Sequence, residues 1–273
     1  MAILFIPTRL AANFLDCHST NLTVDSNPMK SITFPLLACT LALATANPAF
    51  TAPETAKAKR QPNSAMAPVT DIEGLPRVLL IGDSISIGYT VPVRQLLEGK
   101  ANVHRPRTNC GPTTRGLEGI EEWLKTGGEG KKWDVIHFNW GLHDLKYMGK
   151  DGKNLADPKA EGSHQQVPPA EYEKNLRKLV ARLKQTRAKL IWRNTTPVPE
   201  GAQGRVVGDA AKYNAIAAKV MEANQIPTDD LFTLSKNHPD LMRPANVHYT
   251  PEGSKALAEH VVKEIAKALA LVK

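Results

Sequence analysis

Val78-Leu79-Leu80-Ile81-Gly82-Asp83-Ser84 is the stretch that decides the fold. Four consecutive apolar residues that include a β-branched pair read as a short strand covered on both faces, and Gly-Asp-Ser ends it. In α/β sheets, ligands gather outside the carboxyl ends of the strands, so Ser84 stands at a chemically useful place. Near the far end of the chain, Val247-His248-Tyr249 runs into Thr250-Pro251-Glu252-Gly253. Thr250 as cap, Pro251 at the first helical position and Glu252 in the first turn mark a helix start. His248 therefore precedes the last helix. A serine and a histidine at the two ends of one doubly wound domain suggest a nucleophile and its base.

Between these ends, strand and helix signals alternate. Strands are expected at 77–82, 102–105, 134–140, 189–192 and near 226–228. Helices are expected at about 91–98, Thr113 to Leu124, Pro169 to Arg187, Asp209 to Asn224 and Pro251 to about Ala270. In the second of these helices, Leu117, Ile120 and Leu124 form one stripe. Such an order gives right-handed βαβ units and a parallel sheet covered on both faces. The expected architecture is a flavodoxin-like three-layer α/β/α sandwich with a five-stranded parallel sheet. Residues 146–168, with Gly149, Gly152, Pro158, Gly162 and Pro168, carry no apolar period. A connection of this length in a compact domain is commonly functional, and it leaves the carboxyl end of the third strand, where it would wall a cleft.

The first part of the chain reads differently. Met29-Lys30 opens a short apolar run that ends at Ala44-Thr45-Ala46, the three-part pattern of a secretory signal over 29–46. Residues 1–28 fit no part of a signal and suggest a start assigned too early. Residues 47–73, rich in Pro, Ala, Thr and Lys, read as a disordered tether, leaving 74–273 as the folded domain. A secreted or periplasmic location is expected. The apolar run is too short for an integral membrane span.

The 273 residues carry a formal net charge of +8, with the basic residues scattered along helices rather than interleaved with aromatics. That pattern speaks against a nucleic-acid partner and leaves attraction to an acidic polysaccharide or envelope surface open. Of three cysteines, Cys110 alone lies outside the upstream and signal regions, so no internal disulfide is expected. The histidines do not fall into metal-ligand spacing, and the glycines form neither a Walker nor a Rossmann loop; no metal or cofactor is expected.

Taken together, the blocks resemble the GDSL/SGNH hydrolase family across essentially all of residues 77–270. The resemblance implies esterase-type chemistry on a flavodoxin-like sheet. It makes Ser84 the nucleophile, its amide an oxyanion donor, and Gly116 in Cys110-Gly111-Pro112-Thr113-Thr114-Arg115-Gly116 a second donor. The family's Gly-x-Asn-Asp reads Gly141-Leu142-His143-Asp144 here, which puts His143 in the place of the third donor; a neutral imidazole still offers one N–H. Asp144 would orient the loop. The family's Asp-x-x-His reads Ala245-Asn246-Val247-His248, so His248 matches as base while Ala245 replaces its acid. A Ser–His dyad held by a backbone carbonyl, support from Asn246 or Asp240, or weakened catalysis would each follow. The implied activity is hydrolysis of carboxylic esters, with short acyl groups on carbohydrate favoured over long chains. A non-catalytic carbohydrate-binding module and an acyltransferase to a sugar hydroxyl are the alternatives. The partner expected is a small-molecule or polysaccharide ester.

Overall fold

Strand β1 (Arg77–Ile81) lies second in a five-stranded sheet and is buried along its whole length. The computed structural model describes residues 64–270. Strands β2 (Asn102–His104) and β3 (Val135–Phe138) flank β1, both parallel to it, with Leu79 opposite His104 and Ile136. A small antiparallel hairpin, β4 (Tyr147–Met148) with β5 (His164–Gln165), forms a separate sheet. Strand β6 (Lys189–Arg193) joins β3, and β7 (Thr228–Asp229) ends the row, giving the order β2-β1-β3-β6-β7, all parallel. The five-stranded α/β architecture anticipated from the alternating pattern is the one observed.

The helices are α1 (Ser84–Leu96), α2 (Thr113–Leu124), α3 (Pro169–Lys184), α4 (Asp209–Ala223), the short α5 (Leu231–Asn237) and α6 (Pro251–Ala268). Helix α1 packs on α6, while α2, α3 and α4 pack in series. Apolar stripes face the sheet, as in α3, where Tyr172, Leu176, Leu179, Val180 and Leu183 are buried. In the centre, Phe138 meets Trp192 edge-on with ring centroids 5.4 Å apart. No helix among the described residues is long and apolar enough to cross a membrane.

Three expectations are corrected. The first helix begins at Ser84, not near 91, because the Asp83 side chain caps it by accepting from the Ile85 amide at 3.0 Å; Pro92 lies inside the helix instead of near its start. Helix α5 occupies a stretch expected to be loop, capped by Asp230. Residues 64–73, assigned to the tether, are packed against the sheet edge. Asp71 meets His104 and Lys131 at 2.6 Å and Arg77 at 3.0 Å, and Asn102 exchanges hydrogen bonds with the Ile72 backbone at 2.8 and 3.0 Å. Polar partners distant in sequence hold this segment, which has no regular apolar period of its own. The signal segment and residues 1–28 lie outside the described residues.

Candidate active site

The turn from β1 into α1 puts Ser84 at the first helical position, where its amide has no acceptor within the helix. His248 is delivered by the loop before α6. That loop is fixed by the Thr250 cap, which accepts from the Gly253 amide at 2.9 Å, and by a bridge between Met242 and Tyr249. Because α1 and α6 pack together and both begin at the carboxyl end of the sheet, the two side chains meet. Ser84 Oγ lies 2.8 Å from His248 Nε2, although 164 residues separate them.

Asn246 completes the relay. Its Oδ1 lies 3.0 Å from the backbone N–H of His248 and 2.7 Å from the imidazole Nδ1. A backbone N–H can only donate, so the atom it meets is the amide oxygen, and that oxygen in turn requires a proton on Nδ1. Nε2 is left with its lone pair toward the serine hydroxyl, which is the tautomer a general base needs. Ala245 is exposed, with a positive φ of 50°, and a Cβ built on Gly201 would fall 2.9 Å from the Ala245 Cβ. Position 245 therefore faces the Gly201 loop. Asp240 lies on the 3-10 turn Pro239–Leu241 and forms no hydrogen bond with His248.

Electrostatics keep the base neutral. Burial lowers the His248 pKa below its ordinary value; Asp83 opposes this, and the charges of Arg205 and Arg243 add to it. Beneath the nucleophile, Asp83 Oδ1 lies 3.3 Å from a guanidinium nitrogen of fully buried Arg193, which donates to Asn139 Oδ1 at 2.6 Å. Burial alone would raise Asp83. The Arg193 charge and the amides of Ile85 and Ser86 outweigh it and hold the carboxyl below its ordinary value. Arg193 and Asn139 escaped the sequence reading; the only signal was a charged residue closing the apolar run Leu190-Ile191-Trp192.

Gly116 is not brought to the anion site as a donor. It lies inside α2, and its N–H donates to Pro112 O at 3.0 Å. Its lack of a side chain serves packing: a Cβ there would come 2.9 Å from the Trp140 indole. Asp144 is buried and fixes the start of α2, accepting from the Thr113 amide at 2.8 Å and its hydroxyl at 2.6 Å, as a loop-orienting residue should. Burial pushes its carboxyl up to about 7. His143 lies between this loop and a cavity of about 450 Å³ that includes Gly111, Arg115 and Lys146. Burial lowers its pKa to about 4, with Asp83 opposing and Lys146, Arg205 and Arg115 reinforcing the fall. At neutral pH its ring is uncharged and has one N–H to give. Cys110 is buried, and burial raises its thiol to about 11, which argues against thiolate chemistry.

A serine hydroxyl on an oriented neutral imidazole, at the carboxyl edge of a parallel sheet, defines a hydrolase that works through a nucleophilic hydroxyl. The model of the GDSL-like lipase/acylhydrolase family matches residues 80–256, and the chain belongs to that family; it is a hydrolase acting on esters. Solved structures share the fold at low identity. A lipase/acylhydrolase from Enterococcus faecalis is 18% identical with a TM-score of 0.55, covering 71% of this chain and 96% of that one. An acetylxylan esterase from Geobacillus stearothermophilus is 20% identical with a TM-score of 0.54, covering 70% and 94%. A further acetyl xylan esterase is 17% identical with a TM-score of 0.54, covering 69% and 99%. No curated protein is significantly similar in sequence.

Proposed function

We propose that this chain is an exported serine esterase that removes short acyl groups, acetyl foremost, from carbohydrate hydroxyls. The observation that carries the reading is the continuous Ser84–His248–Asn246 relay, with contacts of 2.8 and 2.7 Å. Ser84 Oγ attacks the ester carbonyl while His248 Nε2 takes its proton. The resulting imidazolium shares its Nδ1 proton with Asn246. The tetrahedral oxyanion is met by the free Ser84 amide and by the neutral His143 ring; one such donor is worth roughly 3 kcal/mol in the transition state. His248 then protonates the departing sugar oxygen, and water attacks the acyl-enzyme with His248 as base again.

The cavity holding Ser84 and His248, closed by Ile85, Ile87, Gly88 and Tyr249, measures about 200 Å³. That volume suits an acetyl group better than a long acyl chain. The two acetylxylan esterases sharing the fold point the same way, and export rests on the signal pattern in the sequence. An intact relay argues against a binding module that has lost its chemistry.

The test is release of acetate from p-nitrophenyl acetate and from acetylated xylo-oligosaccharides by the purified chain and its Ser84→Ala variant. Hydrolysis by the first that falls at least about 10³-fold in the second is expected. Equal rates in both would remove the reading.

A further inference from the structure

Lys146 is 9% exposed and lines the 450 Å³ cavity beside His143, and its ammonium makes no hydrogen bond or ion pair with any described residue. A lysine whose side chain is mostly buried and unpaired gains from an anion that reaches it through the cavity. The carboxyl two residues earlier forms no hydrogen bond with it: Asp144 Oδ1 is taken by Thr113 and its buried Oδ2 has no partner, although its charge acts on Lys146. Glu118, exposed at the cavity rim, pairs with neither Lys146 nor Arg115. Gln166, on the same wall, has a buried Oε1 without a partner.

The surrounding charges are mainly positive, with Glu118 the acidic side chain on the cavity wall. Arg115 lines the same cavity, with one guanidinium nitrogen on Thr108 Oγ1 at 2.8 Å and the rest of its fork open. Arg205, held by the Leu142 carbonyl at 3.2 Å, places its charge where Lys146, His143 and His248 all feel it. Arg243 lines the cavity of the nucleophile itself. Unpaired cations converging on an ester-cleaving site, with a polar amide among them, fit an anionic substrate whose other groups are hydroxyls.

We propose that the cavity next to His143 is an anion subsite with Lys146 as its principal counter-ion, so that the preferred ester is carried on an acidic sugar of the uronic-acid class. This deepens the esterase reading and rests on it. Arg115 acts as the outer, solvent-facing partner of the same carboxylate, and Gln166 orients the sugar ring.

A matched pair of substrates tests the subsite: methyl 3-O-acetyl glucuronide and methyl 3-O-acetyl glucoside, which differ only in carboxylate against hydroxymethyl. The full chain is expected to favour the glucuronide by at least about ten-fold in kcat/KM at low salt, chiefly through KM, and the preference should shrink as salt rises. In Lys146→Met the ratio falls to within about two-fold of unity, whereas Lys146→Arg retains most of it. A ratio near unity in the unaltered chain, or an undiminished ratio in Lys146→Met, overturns the proposal. Thermal unfolding of Lys146→Met at or above the unaltered Tm shows that the fold is intact. If neither ester is cleaved, the esterase reading has failed, and calorimetry decides the subsite separately. Methyl glucuronide binding to Ser84→Ala that vanishes in Ser84→Ala/Lys146→Met supports it; equal binding, or none, overturns it.

Discussion

Two histidine relays stand among the described residues, and the better-charged one is not at the nucleophile. In the first, His248 leans on the neutral amide of Asn246 and points its other nitrogen at Ser84. In the second, Asp229 of β7 lies 2.8 Å from His137 Nε2 of β3 through one oxygen and 2.7 Å from His260 Nδ1 of α6 through the other. Burial alone would raise the Asp229 carboxyl, but hydrogen bonds from the two histidines outweigh it and bring it down to about 2. The Asp229 contact raises the His260 pKa, while burial lowers that of His248. A carboxylate that holds a histidine charged cements strands and helix together. A base must stay neutral and keep a lone pair toward its hydroxyl. An Asp–His contact is thus a poor marker of catalysis, and a neutral partner is compatible with it.

The largest effect that would break the contrast is on stability. Asp229→Asn leaves two histidines without their anion and is expected to cost about 3 kcal/mol, read as a lower denaturant midpoint at constant m, with the rate per folded molecule unchanged. The pH dependence has a defined sign. The native carboxyl, at about 2 against an ordinary 3.8, contributes stability that is fully present above the unfolded value and is lost as pH falls toward 2. Urea titrations between pH 5 and 2 should show that slope in the native chain and a flatter one in the variant. A large loss of turnover instead would give Asp229 a catalytic role.

Asn246→Ala comes next. With no oxygen to select the tautomer, kcat/KM for p-nitrophenyl acetate should fall about 10²-fold, with little change in Tm because Asn246 is exposed. An unchanged rate would mean that Ser84 and His248 work without an orienter. The smallest effect sharpens the comparison. In the native chain the acid limb of kcat/KM should lie below 6.5, since the His248 pKa is lowered. Asn246→Asp supplies the missing charge and should move that limb up by about one pH unit. A limb that stays in place would show that the two partners act on the imidazole by geometry alone.

Much of this was legible in the chain. The apolar run of β1 and the cap signals of α6 located Ser84 and His248, since position in a doubly wound sheet follows from element order. Asn246 stood among the possible orienters, and only the folded loop separated it from Asp240. Gly116 was misassigned although its own context forbade the role. A residue four places into a helix that starts at Thr113 must give its N–H to Pro112, whatever motif it resembles. Lys146 and Arg205 carried no signal, and Arg193 only that of a charge closing a strand, because an unpaired or buried charge is defined by partners brought from elsewhere in the chain. Residues 64–73 failed for the same reason: Asp71 meets Arg77, Lys131 and His104, and Asn102 meets Ile72.

That edge segment bears on how the protein behaves in a crowd. An outer strand offers a row of unpaired backbone groups to any neighbouring chain. On β2 the Val103 carbonyl accepts from Arg94 Nε at 3.0 Å, and the segment before β1 lies against the strand, with Ala67 O on the same guanidinium at 3.3 Å and Ile72 and Leu75 on the Asn102 side chain. The opposite edge, β7, is only two residues long and offers almost nothing to copy. A chain trimmed to begin at β1 would keep Ser84, His248 and Asn246 but lose the segment that covers the side of β2, and it is expected to self-associate more readily than the full chain.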